Sequence, residues 1–382
     1  MVKVDKGYIR IVLLIVFFAL IAGLGLLLSV TKQSDIYVTW DGAKAVVSPA
    51  KIDGVSVTVS DGDVKVNVKQ KGKKEVKIHL SGKTDCGSFT FDGSRSVHLY
   101  LDNVSLRNDS GYAIKLKNKM PAFISVPEGT VNHLADEGIK AKGNLTVNGN
   151  GTLNITAKGV GHKGIRCERD LVIKGKLILN ITTSGKPEKM EEKKRPEQGQ
   201  MPGPAPDAQA MNAKDASRVP GVPMMPPGGG MPKQPKPFVR YSFAGTSKAI
   251  KVLGSITING GMIKIKTSTP GAEGIEAKKT LTVNGGEIFV EAYDDGINVG
   301  EQMTVTDGVL TIKSTHSDGI DINDKGEGVR YRYVQTGGTV KAITMAGPPE
   351  DGLDIDHTPI KHTGGILTII PELHQPFQPG RK

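Results

Sequence analysis

Carboxylate and amide side chains recur at regular intervals in the last third of the chain, and their spacing suggests cation binding. Most stand in short phrases in which an aspartate precedes Gly-Ile, as in Asp295-Gly296-Ile297 and Asp318-Gly319-Ile320. Ca²⁺ prefers hard oxygen ligands of this kind, roughly six to eight at a time. Asp-Gly is also an ordinary turn pair, so the alternative is a set of solvated turn aspartates. The predicted calcium ligands are Asp294, Asp295, Asn298, Asp318, Asp321, Asn323, Asp351, Asp354 and Asp356.

A sequence repeat must position these side chains. Its central phrase is a small residue, then Ile, then a polar and an apolar residue, first seen clearly as Ala113-Ile114-Lys115-Leu116. Most copies are followed by two more runs in which apolar and polar residues alternate, which predicts strands with one buried face. Successive central residues are separated by 25, 26, 85, 25, 22, 23 and 33 positions. They are Ile114, Ile139, Ile165, Ile250, Ile275, Ile297, Ile320 and Leu353.

Three short strands in 22 to 26 residues predict one coil of a parallel β-helix. A left-handed helix of hexapeptides repeats after roughly 18 residues, so the right-handed form is favoured. We therefore predict an all-β, right-handed parallel β-helix over residues 36–370, in which residues 36–101 supply the first coils and a cap. Coils stack about 4.8 Å apart, so the central residues should form one internal ladder, with Cys167 in a neighbouring one.

The 85-residue spacing indicates an insertion. Residues 185–237 contain 12 of the 22 prolines and 6 of the 11 methionines of the chain. Such a composition buries too little apolar surface to offset the entropy of ordering. We predict a long disordered loop over 185–237, and a short tail over 371–382.

The N-terminus is typical of a membrane segment. Residues 11–30 carry no charged side chain, whereas residues 1–10 contain Lys3, Lys6 and Arg10. This pattern predicts a basic cytoplasmic flank, a transmembrane helix over 11–30, and a domain outside the cytoplasm, at the cell surface or in the periplasm. The alternative is a cleaved signal sequence, which would make the protein secreted.

Net charge and cysteine content exclude other classes. The formal net charge is +11, yet residues 272–356 contain sixteen acidic and seven basic side chains. Because the basic residues are scattered elsewhere, we expect no nucleic-acid partner. Two cysteines are too few for a disulfide framework.

Aromatic and cationic residues near the acidic coils are candidate sugar contacts. Tyrosine rings can stack on a sugar, although the same rings could simply cap coil edges. The predicted carbohydrate-binding residues are Tyr293, Tyr331, Tyr333, Arg330 and Arg332.

The Asp-Gly-Ile phrases, with the Thr-Val-Asn-Gly-Gly run at 282–286, resemble an exported bacterial carbohydrate-binding β-helix family. This family is of the clostridial cellulose- and pectin-binding type, with a pectate-lyase-like fold. The resemblance covers roughly residues 36–370 and implies polysaccharide binding, with calcium near the Asp-Gly-Ile turns. Lys163 and Lys248 replace the acidic residue of the phrase in two earlier coils, which puts calcium sites there in doubt.

The predicted function is non-catalytic, calcium-assisted binding of a polysaccharide of acidic or plant cell-wall type. One alternative is a calcium-dependent, pectate-type lyase, which would need a basic residue to remove a proton. Another is a surface adhesion or structural protein with a protein partner. The candidate lyase bases are Lys313, Arg330, Arg332 and Lys341.

Overall fold

The computed structural model describes residues 35–51, 53–69, 71–193, 240–323, 328–356 and 358–371. Within these ranges the regular secondary structure is entirely β-strand, as predicted. A search of the same ranges finds no helix with the length and apolarity needed to cross a membrane. The anchor predicted at 11–30, its flank at 1–10 and nearly all of the predicted tail lie outside the described residues.

One side of each coil belongs to an eleven-stranded sheet of short strands, called here the narrow sheet. All of its pairings among the described residues are parallel except the first, between Val55–Ser60 and Asp63–Val68. Its strands are Val55–Ser60, Asp63–Val68, Phe89–Gly93, Ile114–Leu116, Ile139–Ala141, Lys163–Cys167, Lys248–Val252, Glu273–Ala277, Ile297–Val299, Ile320–Ile322 and Leu353–Asp354.

The other sides of the coils belong to a seventeen-stranded sheet among the described residues, called here the broad sheet. In the later coils, one long strand bends through a register shift and so serves two sides. The strands of the broad sheet are Ile36–Asp41, Lys44–Ser48, Val76–Thr84, Val97–Arg107, Ala122–Val126, Val131–Ala135, Leu145–Gly149, Thr152–Ala157, Leu171–Gly175, Ile178–Thr183, Ile256–Thr267, Thr280–Ala292, Gln302–Ser314, Tyr333–Gln335, Thr339–Thr344, Lys361–His362 and Ile366–Ile370.

Vertical stacking of equivalent residues is confirmed. The eight predicted central residues, Ile114 through Leu353, are paired one above the next in parallel register and are fully buried. Cys167 lies in the neighbouring inward column between Ala141 and Val252, and it is a buried free thiol. The parallel β-solenoid is therefore established, and its right-handedness stays a prediction.

Two kinds of glycine make the coils possible. Gly149 and Gly286 have φ values of +136° and +99°, which residues with a side chain rarely adopt, and they form corners of the broad sheet. The glycines of the Asp-Gly-Ile phrases serve a different purpose. A Cβ on Gly296 would lie 2.4 Å from Ile312 Cγ2 and 2.5 Å from the carbonyl oxygen of Gly319. These glycines allow adjacent coils to approach closely.

The N-terminal end is covered by antiparallel hairpins, in agreement with the predicted cap. Ile36–Asp41 pairs with Lys44–Ser48, and Val55–Ser60 pairs with Asp63–Val68. Trp40 is buried here and donates its indole N–H to the carbonyl oxygen of Gly62 at 2.7 Å.

The insertion leaves and re-enters the solenoid without disturbing its register. Ile165 and Ile250 are paired directly although 85 positions separate them. The segment predicted to be disordered does not begin at 185, however. Lys189–Lys193 forms a strand that pairs antiparallel with Arg240–Ala244, because a chain that leaves and returns at one point can pair with itself. Residues 194–239 lie outside the described part of the chain.

Candidate functional site

The outer surface of the narrow sheet from Ile114–Leu116 to Leu353–Asp354 carries most of the candidate site residues, and we call it the polar face. Strand alternation turns the residue after each central apolar residue outward. These residues form a central column in parallel register: Lys115, Lys140, Arg166, Lys251, Glu276, Asn298, Asp321 and Asp354.

A second column, the edge column, lies two residues before the central apolar residues. Parallel pairing aligns Lys163, Lys248 and Glu273. Backbone hydrogen bonds between adjacent coils then continue the column through Asp295 and Asp318 to Asp351. Its members are Tyr112, Glu137, Lys163, Lys248, Glu273, Asp295, Asp318 and Asp351.

The polar face is divided by charge along the solenoid axis. Its first four strands carry cations in the central column, and we call this part the basic half. The last four strands, from Glu273–Ala277 onward, carry carboxylates and amides in both columns and form the acidic half.

A buried ion-pair network joins the two halves. Glu276 is 2 % exposed, and its Oε2 lies 3.2 Å from Lys248 Nζ and 2.9 Å from Lys251 Nζ. It also pairs with Lys278, while Lys248 pairs with Glu273. Burial by itself would raise the pKa of Glu276, but Lys248, Lys278 and Lys251 lower it to about 2. Because Glu276 is paired with these lysines, it is not available to a ligand.

Three carboxylates converge at the edge of this network. Glu273, Asp294 and Asp295 each offer an oxygen atom, and these atoms all lie within 4.8 Å of one another. Only one Glu273 oxygen takes part in the ion pair with Lys248. The other, Oε2, is buried and has no hydrogen-bond partner among the residues that the structure describes. This group is a candidate cation site.

A hydrogen-bonded web extends the cluster over the next coils. Asn298 Nδ2 donates to Asp295 Oδ2 at 2.9 Å and to Asp321 Oδ2 at 2.8 Å. Asn323 Nδ2 donates to the same Asp321 oxygen at 2.9 Å. The backbone N–H of Asp351 donates to Asp318 Oδ1 at 2.6 Å. The amides therefore orient the carboxylates without neutralising their charge.

Burial and mutual repulsion raise the pKa values of three of these carboxyl groups. Burial, together with the charges of Asp295 and Glu273, raises the pKa of Asp294 to about 7. Burial raises the pKa of Asp318 to about 8, against a lowering effect of the Asp351 N–H. Burial and the charges of Asp295 and Asp354 raise the pKa of Asp321 to about 7. A bound cation would place positive charge beside these carboxylates and would therefore lower their pKa values.

The donor set fits Ca²⁺. It consists of hard oxygen atoms from several carboxylates, it includes an orphaned buried oxygen on Glu273, and it lacks the nitrogen and sulfur ligands that softer metals select. The predicted ligands at the far end contribute less directly. Asp354 lies below Asp321 in the central column, whereas Asp356 is exposed with a positive φ, and its N–H donates to Asp354 Oδ1.

Two of the predicted sugar-contacting tyrosines lie at the surface. Tyr293 is half-buried, and its ring stacks on His316 with centroids 3.8 Å apart. Tyr331 is half-buried, and the guanidinium of the exposed Arg330 lies 5.1 Å from its ring centroid.

Two other predicted contacts are wrong. Tyr333 is fully buried in an inward column below Met303, and its hydroxyl donates to Gln335 Oε1. Arg332 is 3 % exposed and donates to the carbonyl oxygens of Asn323 and Glu301. Both side chains stabilise the irregular coil after Asn323, so neither can reach a sugar.

The buried Arg332 is equally unsuited to act as a lyase base. Lys313 and Lys341 lie on the broad sheet rather than the polar face. Among the four candidate bases, that leaves Arg330.

Glu273 is the principal residue that sequence reasoning missed. It occupies the edge-column position equivalent to Asp295 one coil earlier, and that repeat position was the signal that could have identified it. Lys248 and Lys251 obscure this signal in the sequence, because they make the adjoining coil basic.

Comparison with known proteins gives a family match and a structural match. A search of curated proteins finds no match. A solved structure described as the polysaccharide lyase-like protein from C. thermocellum, a gadolinium derivative, matches with a TM-score of 0.44 and 19 % identity. That match covers 87 % of this chain and 100 % of the other. A family model described as carbohydrate-binding domain-containing protein matches residues 60–186 and 256–373, more than half of the chain. The chain belongs to this family of carbohydrate-binding domain-containing proteins.

Proposed function

We propose that the chain binds polysaccharide along its polar face, with Ca²⁺ held in the acidic half. The observation that carries the proposal is the convergence of Glu273, Asp294 and Asp295 within 4.8 Å, in a member of a carbohydrate-binding family. When bound, Ca²⁺ supplies positive charge that can meet the carboxylates of an acidic or plant cell-wall polymer.

The protein's own residues have two tasks in this proposal. Glu273, Asp294 and Asp295 hold the cation, and Asn298 keeps Asp295 and Asp321 in place through its two hydrogen bonds. Tyr293 and Tyr331 provide aromatic surface near the same coils for contact with sugar rings. The proposal includes display outside the cytoplasm on a membrane anchor at 11–30, which rests on the apolar sequence of that segment.

The test measures how much of the polysaccharide binding depends on calcium. Pull-down on insoluble cellulose and on pectin, with Ca²⁺ or with a chelator, should show more bound protein with Ca²⁺. Combining Asp294→Asn with Asp295→Asn should remove that increase and weaken Ca²⁺ binding in calorimetry by about tenfold or more, because two of the three converging carboxylates are lost.

Asp307→Asn is the matched control, since Asp307 is exposed on the broad sheet and accepts a hydrogen bond from the Gly308 N–H. It should retain the full effect of Ca²⁺. The proposal fails if Ca²⁺ adds nothing to binding by the unmodified protein. Failure to bind any glycan would favour an adhesion protein instead.

A further inference from the structure

The basic half of the polar face contains a cleft that the calcium proposal does not use. Its volume is about 280 Å³. It opens across the strands Ile114–Leu116 and Ile139–Ala141, at the opposite end of the polar face from the irregular coil after Asn323. The residues that matter in its lining are Tyr112, Lys115, Lys117, Glu137, Lys140 and Lys142.

The cleft has an excess of positive charge. Within the described ranges, Lys115, Lys117 and Lys142 have no carboxylate oxygen within 4.0 Å, whereas Lys140 has only Glu168 at 3.8 Å. Lys117 and Lys142 are exposed at the mouth of the cleft, and Lys115 is half-buried. The ammonium groups are therefore free to meet an anion.

The same excess continues on the next coil. Arg166 follows Lys140 in the central column, so three cations occupy consecutive coils about 4.8 Å apart, whereas the next one, Lys251, is paired with Glu276. The Arg166 Nε is buried and lacks a hydrogen-bond partner in the described part of the chain. Burial, opposed by Glu137 and reinforced by Lys251 and Arg166, lowers the pKa of Lys163.

We propose that this cleft is a second, calcium-independent binding site for the carboxylate groups of an anionic polysaccharide. A line of cations along the solenoid axis suits a polymer with one charge per sugar better than a single small anion. Duplex DNA is the less favoured polyanion, because the chain belongs to a carbohydrate-binding family. The site deepens the proposed function by naming the charge class of the polymer, but it needs no metal.

The experiment measures binding of the full-length chain to soluble polygalacturonate in the presence of a chelator at low ionic strength. The unmodified protein should bind, and raising the salt concentration should weaken binding because exposed charges are screened. Combining Lys115→Gln with Lys142→Gln should weaken it by about tenfold, the loss that corresponds to 1.4 kcal/mol.

The matched control combines Lys264→Gln with Lys341→Gln. These lysines are exposed on the broad sheet, so the control removes the same charge from another face. It should bind like the unmodified protein. Equal losses of binding in both double variants would show that only the net charge of the protein matters, and this would overturn the proposal. So would equal or tighter binding of duplex DNA, or no binding in chelator.

The two proposals fail separately. If binding in chelator persists but Ca²⁺ adds nothing, only the calcium-assisted function is lost. If binding is seen only with Ca²⁺ and is unaffected by the lysine substitutions, only the second site is lost.

Discussion

At the scale of single residues, we expect the acidic half to make the stability of the protein depend on pH. The pKa values of Asp294, Asp318 and Asp321 are raised to about 7, 8 and 7, chiefly by burial. In an unfolded chain an aspartate has a pKa of about 3.9. Between these limits the folded state binds more protons than the unfolded state, so stability falls as pH rises. The stabilisation that these groups provide is therefore fully present below a pH of about 3.9, and it is lost as pH rises through about 7 to 8.

We predict opposite effects of pH with and without calcium. In chelator, the melting temperature should be lower at pH 9 than at pH 6. Saturating Ca²⁺ should recover most of the loss at pH 9 and have little effect at pH 5, where protons occupy the ligands. Thermal unfolding followed by circular dichroism over this pH range measures both effects.

Asp318→Asn provides the comparison, because it removes the carboxyl group with the highest of the three pKa values and keeps an oxygen to accept the Asp351 N–H. Its melting temperature should depend less on pH in chelator. A calcium effect of the same size at pH 5 and pH 9 would contradict the assignment of Asp294 as a calcium ligand.

At the scale of the structural element, the glycine of each Asp-Gly-Ile phrase determines how closely coils can stack. Gly274, Gly296, Gly319 and Gly352 follow one another, and a Cβ on any of the first three would lie 2.4 to 2.5 Å from the carbonyl oxygen of the next. These glycines are required by close packing rather than by a left-handed conformation.

We predict that Gly296→Ala destabilises the protein by about 1–3 kcal/mol, the usual cost of adding a methyl group to a packed interior. Chemical denaturation measures the change. Gly347→Ala is the control, since nothing lies within 4 Å of the position of its Cβ. Comparable losses in the two variants would show that the close approach of coils at Gly296 is not what requires glycine there.

The ribbon at the base of the insertion allows a second element-level prediction. Lys193 and Arg240 are paired at its end, so a two-residue Asn-Gly turn can join them in place of residues 194–239. The shortened protein should keep its melting temperature within a few degrees and keep its calcium-dependent binding to pectin. Loss of folding would mean that the replaced residues support the solenoid, and loss of binding alone would place recognition within them.

At the scale of the whole molecule, the regular coils were predictable and the irregular parts were not. The positions from Ile114 to Leu353 were identified because buried stacking demands the same residue type in every coil. The segment around Tyr333 was not, because Tyr333, Val334 and Gln335 alternate without a clear apolar side. Only the structure shows that the polar Gln335 points inward, where its amide donates to backbone carbonyl oxygens.

The charge pattern of the polar face was also not predictable from a simple reading along the sequence. Basic residues that look scattered in the sequence lie together because each coil contributes only one or two of them. Lys115 and Lys140 are 25 positions apart in the chain yet directly adjacent in the sheet. Sorting every residue by its place in the coil would have revealed the basic cleft and the role of Glu273.

The direct pairing of Ile165 with Ile250 has a consequence for how such a protein can change. Whatever the chain does between Lys193 and Arg240, the interior meets the same neighbours above and below. A segment of different length or chemistry could be exchanged at that corner while every oxygen atom near Asp295 keeps its position. New recognition could therefore be added at the side of the solenoid without altering the polar face.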